Sequence, residues 1–416
     1  MAKVLVYSLL LIVGLVASQF LDGAGAAVIQ PLTMFGLAFI MIHVGYEFEI
    51  DKNDPGQYAW DYVVAATAAG FPWILCALYF VFALAPREIW QHPDLWKETL
   101  LQARFAAPTS AGVLFSMLAA AGLAATWVFR KARILAIFDD LDTVLLMIPL
   151  KMLMVGVRWQ LGVVIVIMGV LLWIGWRYLR EIRLPVSWPF VLAYALVITA
   201  VCEAIHLGSA LLDATVPVHI EVLLPAFVLG CILARPAGHD PHVDDAVEGH
   251  EIGLESPTEQ RVATIVSACF MVLVGLSMPP IQPRAVNRPE LVEHTPAWFA
   301  DVAPEVLERK YAFPGWGMVA VHVLAITVLS NLGKMFATLC YRDEASFRER
   351  LAISIGMFPR GEVGAGVLVA SLAYGLKGPV ITIAVLSLAL NLLFTGVFIL
   401  IVKKLLAPTQ SPAIPT

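Results

Sequence analysis

Apolar blocks of about 20 residues alternate with short polar connectors along the chain, and each block is long enough to cross a ~30 Å hydrocarbon core as a helix. Hydropathy predicts about twelve such spans, at roughly 4–22, 28–48, 61–85, 98–123, 132–156, 159–178, 187–206, 217–234, 260–279, 316–340, 350–375 and 378–402. Two longer polar stretches interrupt them. Arg235–Gln260 carries His239, His242 and His250 among acids, candidate metal ligands whose spacing fits a solvated connector better. Pro280–Pro314 is rich in Pro and charge, and Trp298 and Phe299 there suggest an interfacial helix. Lys3, Val4–Gly14 and Ala17–Ser18 have the outline of a signal peptide, but the expectation is an uncleaved first span.

Composition removes the soluble classes. Of the 416 residues, 60% are hydrophobic and only 14% charged, against about a quarter charged in soluble domains. One membrane domain is expected, with no nucleic-acid partner, because no basic stripe with interleaved aromatics appears. All five cysteines sit inside apolar blocks, where thiols behave as small hydrophobes. Lys and Arg set the orientation. Lys3, Lys52, Arg130, Lys131, Arg133, Arg177, Arg180, Arg183, Arg342, Arg348, Lys403 and Lys404 fall on one side, so both termini are expected in the cytoplasm of a cell with the chain in its inner membrane.

Ionisable residues inside spans cost roughly 2.5–3.5 kcal/mol each on insertion scales and mark function. Here they are Asp139, Asp140 and Asp142 in the fifth span, Glu203 in the seventh, Lys334 in the tenth, and Arg360 with Glu362 in the eleventh. Lys151 is placed to snorkel outward, and Glu203 near His206 to be interfacial. At about 100° per residue, Asp139 and Asp140 share one narrow helical face with Thr143 between them, and Asp142 lies at its edge. Three acids in one low-dielectric turn cannot all stay ionised without cations. Such a turn holds either a monovalent cation or protons, with Asp140 and Asp139 as the cation ligands. An alternative leaves these acids in a loop, with the helix starting at Asp142.

Two spans are broken. Ala106–Gly112 contains Pro108, and Gly356–Gly364 contains Pro359. In lipid, freed backbone groups survive only where protein or a water-filled cavity satisfies them, and paired broken helices in two halves point to a midplane ion site. The expected fold is therefore an all-α polytopic membrane protein with two inverted five-helix repeats and broken fourth and eleventh helices. The first repeat occupies 1–157, linker helices 158–210, the second repeat 211–405, and a cytoplasmic tail 406–416. Each broken helix precedes a long helix with a polar centre, the aspartates in one repeat and Asn391 in the other. Lys334 is a candidate counter-charge, and Arg360 and Glu362 are expected to be structural, paired with each other or with neighbouring acids.

These residues resemble a known family. Leu37–Ile50, Ala107–Gly122, Leu135–Leu150 and Asn331–Gly375, with the string Pro359-Arg360-Gly361-Glu362-Val363, are similar to stretches of the second branch of the monovalent cation/proton antiporter superfamily. The resemblance implies a mobile core, a dimerising panel and elevator-like alternating access, hence a homodimer. It implies that Asp140 is the essential ion carboxylate with Asp139 beside it, that Thr109, with Ser110, lies at the helix crossing, and that Lys334 is the basic residue of the tenth helix. Asp142 departs from the usual pattern and leaves a second register, Asp142–Thr143, open. Potassium-efflux relatives carry a nucleotide-binding tail, and none is expected after Thr416.

The expected function is exchange of Na⁺, or of Li⁺ or K⁺, against H⁺ across the cytoplasmic membrane, without cofactor or nucleotide, since no phosphate-cradling Gly-Lys-Ser/Thr motif occurs. A two-carboxylate site with a lysine partner suggests electrogenic exchange. Two other classes compete. Sodium-coupled symport of an organic anion occurs on related folds. An intramembrane aspartyl protease would need its two aspartates on different helices.

Overall fold

Apolar segments in lipid must satisfy their backbone internally, and they do so as helices. The computed structural model describes residues 2–20, 23–47, 55–156, 158–212, 222–234, 257–278, 301–373 and 378–407, with positions 218, 220, 299 and 376. In chain order the helices are α1 (Ala2–Ser18), α2 (Gly23–Glu47), α3 (Pro55–Tyr79), α4 (Pro93–Ala103), α5 (Ala111–Ala120), α6 (Trp127–Val155), α7 (Trp159–Arg177) and α8 (Trp188–Leu212). They continue with α9 (Leu223–Ile232), α10 (Pro257–Leu276), α11 (Pro304–Tyr311), α12 (Trp316–Lys334), α13 (Phe347–Gly356), α14 (Glu362–Ala373) and α15 (Pro379–Leu406). Among the described residues the only strand-like feature is a single bridge between Ile182 and Leu233. The chain is an all-α polytopic membrane protein.

Among the described residues, six helices are long and apolar enough to cross a membrane by themselves: Val28–Tyr46, Gly56–Leu84, Trp159–Arg177, Trp188–Leu212, Trp316–Leu339 and Pro379–Leu406. Lys3–Ser18, Leu223–Ile232 and Arg261–Leu276 are apolar but shorter. The other expected spans depart from simple hydropathy for a reason. Helix α6 carries its own charges, while α4 with α5, and α13 with α14, are interrupted pairs.

The start of α6 corrects the sequence expectation. It begins at Trp127, not at 132 and not at Asp142, with the Thr126 side chain accepting from the Phe129 N–H at 3.2 Å. Lys131 and Arg133, assigned to a cytoplasmic loop, are buried in its first turns. They can be helical because partners wait for them. Lys131 pairs with Asp61 of α3 at 2.9 Å and with Glu344 at 3.1 Å, and the Tyr341 hydroxyl donates to Asp61 at 2.7 Å.

At the other end of α4, Lys310 of α11 pairs with buried Glu98 and lies 4.0 Å from the centre of the Phe299 ring. Burial lowers the proton affinity of the Lys310 ammonium, and Glu98 offsets this. The stretch in which an interfacial helix is expected contains α11, later than Trp298, which lies outside the described residues together with the histidines at 239, 242 and 250.

Glycines set the closest helix crossings. A Cβ on Gly14 of α1 would stand 2.2 Å from the Val272 carbonyl oxygen of α10, and one on Gly230 of α9 would stand 2.2 Å from that of Ile42 in α2. Both contacts are backbone against backbone, so neither neighbour can rotate away. Gly230→Ala is expected to destabilise the fold by ~1–3 kcal/mol through overpacking. Thermal unfolding in detergent checks this. Gly162→Ala is the control, since a Cβ there meets nothing within 4 Å.

Candidate ion-binding site

Two stretches of unwound chain cross in the middle of the molecule. Helix α4 tightens into a 3₁₀ turn at Arg104–Ala106 and stops before Pro108, which has no N–H to continue it, and α5 resumes at Ala111. Helix α13 ends at Gly356, and α14 resumes at Glu362 after Pro359. The crossing is stitched by side chain and backbone. The Thr109 hydroxyl donates to the Met357 carbonyl at 3.2 Å, the Ser110 N–H donates to Pro359 O at 2.9 Å, and Arg360 Nε donates to Ala106 O at 2.8 Å. The crossing is tight at Gly361, where a Cβ would lie 2.9 Å from Ser110 Oγ and 3.2 Å from Ser110 Cβ.

Each broken end carries half-helix partial charge that must be met. Carbonyl-rich ends are met by Arg360, fully buried, which also donates to Ser330 O at 2.9 Å, Phe358 O at 3.1 Å and the Asn331 side chain at 2.7 Å. Among the described residues its partners are carbonyl oxygens. Its guanidinium holds backbone carbonyls, as its fork of donors allows. Glu362 opens α14, and its side chain lies outside the described residues. The N–H-rich start of α5 is met by Asp139, whose Oδ2 accepts from the Thr109 N–H at 2.8 Å.

The three aspartates of α6 go three ways. Asp139 Oδ2 also accepts from Lys334 Nζ at 2.7 Å, and both side chains are fully buried. Asp140 instead lines a small cavity between α6, α7, α9 and α14. Its other walls are apolar, among them Ile137, Val164, Met168, Leu223 and Val363. Asp142 turns toward α4 and pairs with Arg104 at 3.2 Å. Thr143 donates its hydroxyl proton back to Asp139 O at 2.8 Å. Asn391 is buried in α15 and donates to Ser387 O of its own helix at 3.0 Å.

The sequence matches the family described as sodium/hydrogen exchanger, transmembrane, over residues 2–405, nearly the whole chain. The chain belongs to the sodium/hydrogen exchanger family. It is a multi-pass membrane protein of a cation/proton antiporter family, a family of transporters and not of enzymes. Its fold is similar to that of the sodium proton antiporter MjNhaP1 from Methanocaldococcus jannaschii, solved at pH 8. The TM-score is 0.53 at 14% sequence identity, covering 95% of this chain and 91% of that one. The curated proteins compared with it give no match.

Two buried charges of this exchanger, Arg104 and Asp61, were not legible as such in the sequence. Arg104 lies inside the predicted span 98–123 and is fully buried, yet its position beside the break drew attention to Pro108 instead. Asp61 stands at the first position of its predicted span and reads as an end residue. In the fold it is fully buried beneath Lys131 and Tyr341. The rule that flags intramembrane charge applied to both, and only their partners, 38 and 70 residues away in sequence, explain why they are tolerated.

Proposed function

We propose that this exchanger moves Na⁺, with Li⁺ and K⁺ as the competing choices, against H⁺ by alternating access at the Asp139–Asp140 pair. The observation that carries this is the division of labour on α6. Asp139 is held by Lys334 and by the backbone of the crossing, while Asp140 lines the cavity. A cation entering the cavity meets Asp140 first. Asp139, Thr143, Thr109 and Ser110 are its further ligands in this scheme, with Lys334 as the counter-charge. Two carboxylates beside one ammonium favour electrogenic exchange, because more than one proton can leave per cation. Symport of an organic anion is disfavoured, since Asp140, an anion itself, is the only charged residue that lines the cavity among the described residues.

The arrangement also supports two inverted repeats within about twelve spans. The α1–α10 crossing at Gly14 has its counterpart in the α2–α9 crossing at Gly230, and the two broken pairs meet each other at the centre. Placement in the inner membrane with both termini cytoplasmic follows from the Lys and Arg distribution, and homodimerisation from the resemblance to dimeric antiporters. The test is proton flux in everted vesicles. After acidification, addition of Na⁺, Li⁺ or K⁺ separately is expected to drive proton release for at least one cation. Silence with all three would sink the proposal.

A further inference from the structure

Glu98 of α4 is buried and lines a small cavity of its own, bounded by the turn Phe80–Leu84 that follows α3, by α11 and by the start of α15. This is the end of the molecule away from Lys403 and Lys404 in the last turn of α15. The Lys310 ammonium reaches into it. It donates to Glu98 Oε2 and, at 3.0 Å, to the Tyr311 hydroxyl. The centre of the Phe299 ring is 4.0 Å from it, and that of the Tyr311 ring 4.5 Å. One carboxylate, one hydroxyl oxygen and two aromatic faces make a cage for a monovalent cation of ammonium size. Docking of α11 has other supports. Val81, Ile89, Leu95, Phe299 and Leu307 form an apolar cluster with it, and Arg309 pairs with Glu88 at 2.9 Å on the surface. A buried ion pair adds little to such packing, because desolvation offsets its attraction. Polar groups continue along α4 from the cavity. Gln102, also buried, donates to Glu98 Oε1 at 3.5 Å, and one turn further Ala106 O accepts from Arg360 Nε at the crossing, at 2.8 Å.

We propose that Glu98, Gln102, Tyr311 and Phe299 form a second monovalent-cation site, on the route between this end of the molecule and the crossing, and that Lys310 is its tethered occupant. A cation of the size of ammonium or K⁺ takes the place of Lys310 Nζ beside Glu98, and the lysine competes with it for the carboxylate. In the resting protein the lysine wins, because its tether makes the contact intramolecular and its effective concentration high. Passage of a cation therefore requires the ammonium to leave Glu98. The route, though not the site itself, rests on the assignment of the crossing as the place of exchange.

The site is tested on an Asp140→Asn background, where the exchange site is silent. The unfolding temperature in detergent is read while N-methylglucamine chloride, whose cation is too large for the cage, is replaced by ammonium chloride or KCl at constant ionic strength. Lys310→Ala opens the site, so the unfolding temperature is expected to rise by several degrees with ammonium or K⁺. With Lys310 present, or with Glu98→Gln added to Lys310→Ala, the rise is expected to be absent. The route is tested by cation-driven proton flux in the otherwise native chain. Lys310→Arg keeps the pair and grips Glu98 through two N–H groups, so flux is expected to fall several-fold with no loss of unfolding temperature. Arg309→Gln removes an exposed charge of the same helix and is expected to leave flux at the native level. No rise in Lys310→Ala, a rise that survives Glu98→Gln, or native flux in Lys310→Arg overturns the proposal. If Lys310→Ala fails to accumulate, Lys310→Arg still decides. Failure of the exchange assignment itself looks different: there, Asp140→Asn keeps full flux while the Glu98-dependent rise is unchanged.

Discussion

Asp140→Asn is expected to reduce cation-driven proton flux to the background of empty vesicles while the protein still folds and reaches the membrane. The amide is nearly isosteric with the carboxylate, so the walls of the cavity formed by α6, α7, α9 and α14 keep their packing. What disappears is the charge. A monovalent cation crossing into a site walled by Val164, Met168 and Leu223 loses much of its hydration, and only an ionised partner makes good that loss. The same substitution removes the proton that the cation must displace, so neither half of the cycle survives. Flux after acidification, measured beside thermal unfolding of the purified variant, separates loss of transport from loss of fold. Retained flux with native unfolding would move the ion site away from Asp140.

The sequence made the site legible in its parts but not in its pairings. Apolar blocks, the acidic turn and the two Pro/Gly breaks are local signals, and each appears as a helix, an acidic helix and an unwound crossing. Helical geometry, however, grouped Asp139 with Asp140 on one face, whereas tertiary partners part them. Lys334 lies 195 residues from Asp139 and donates to its Oδ2, while Asp140 lines the cavity. The same limit explains α6. Arg130, Lys131 and Arg133 read as a loop because no local residue could tolerate their burial. Asp61, 70 residues upstream of Lys131, supplies the missing charge. Arg360 was legible as structural but not as a carbonyl clamp, since its acceptors at Ala106 and Ser330 are backbone atoms that carry no sequence signature.

Lys334→Gln is expected to be the most destabilising single substitution at this site, with rescue by a second substitution at Asp139. Lys334 and Asp139 are both fully buried and stand 2.7 Å apart, so removing the ammonium leaves an ionised carboxylate in a low-dielectric centre with one backbone N–H, that of Thr109, as its remaining hydrogen-bond donor. Breaking one side of a buried pair typically costs ~3–5 kcal/mol. Asp139→Asn added to Lys334→Gln removes the buried charge altogether, and the double variant is expected to recover thermal stability. Unfolding temperatures of the native protein, the single variant and the double variant check this. A Lys334→Gln protein as stable as the native one would mean that the Asp139–Lys334 contact adds nothing to stability, and the counter-charge role would pass to another residue.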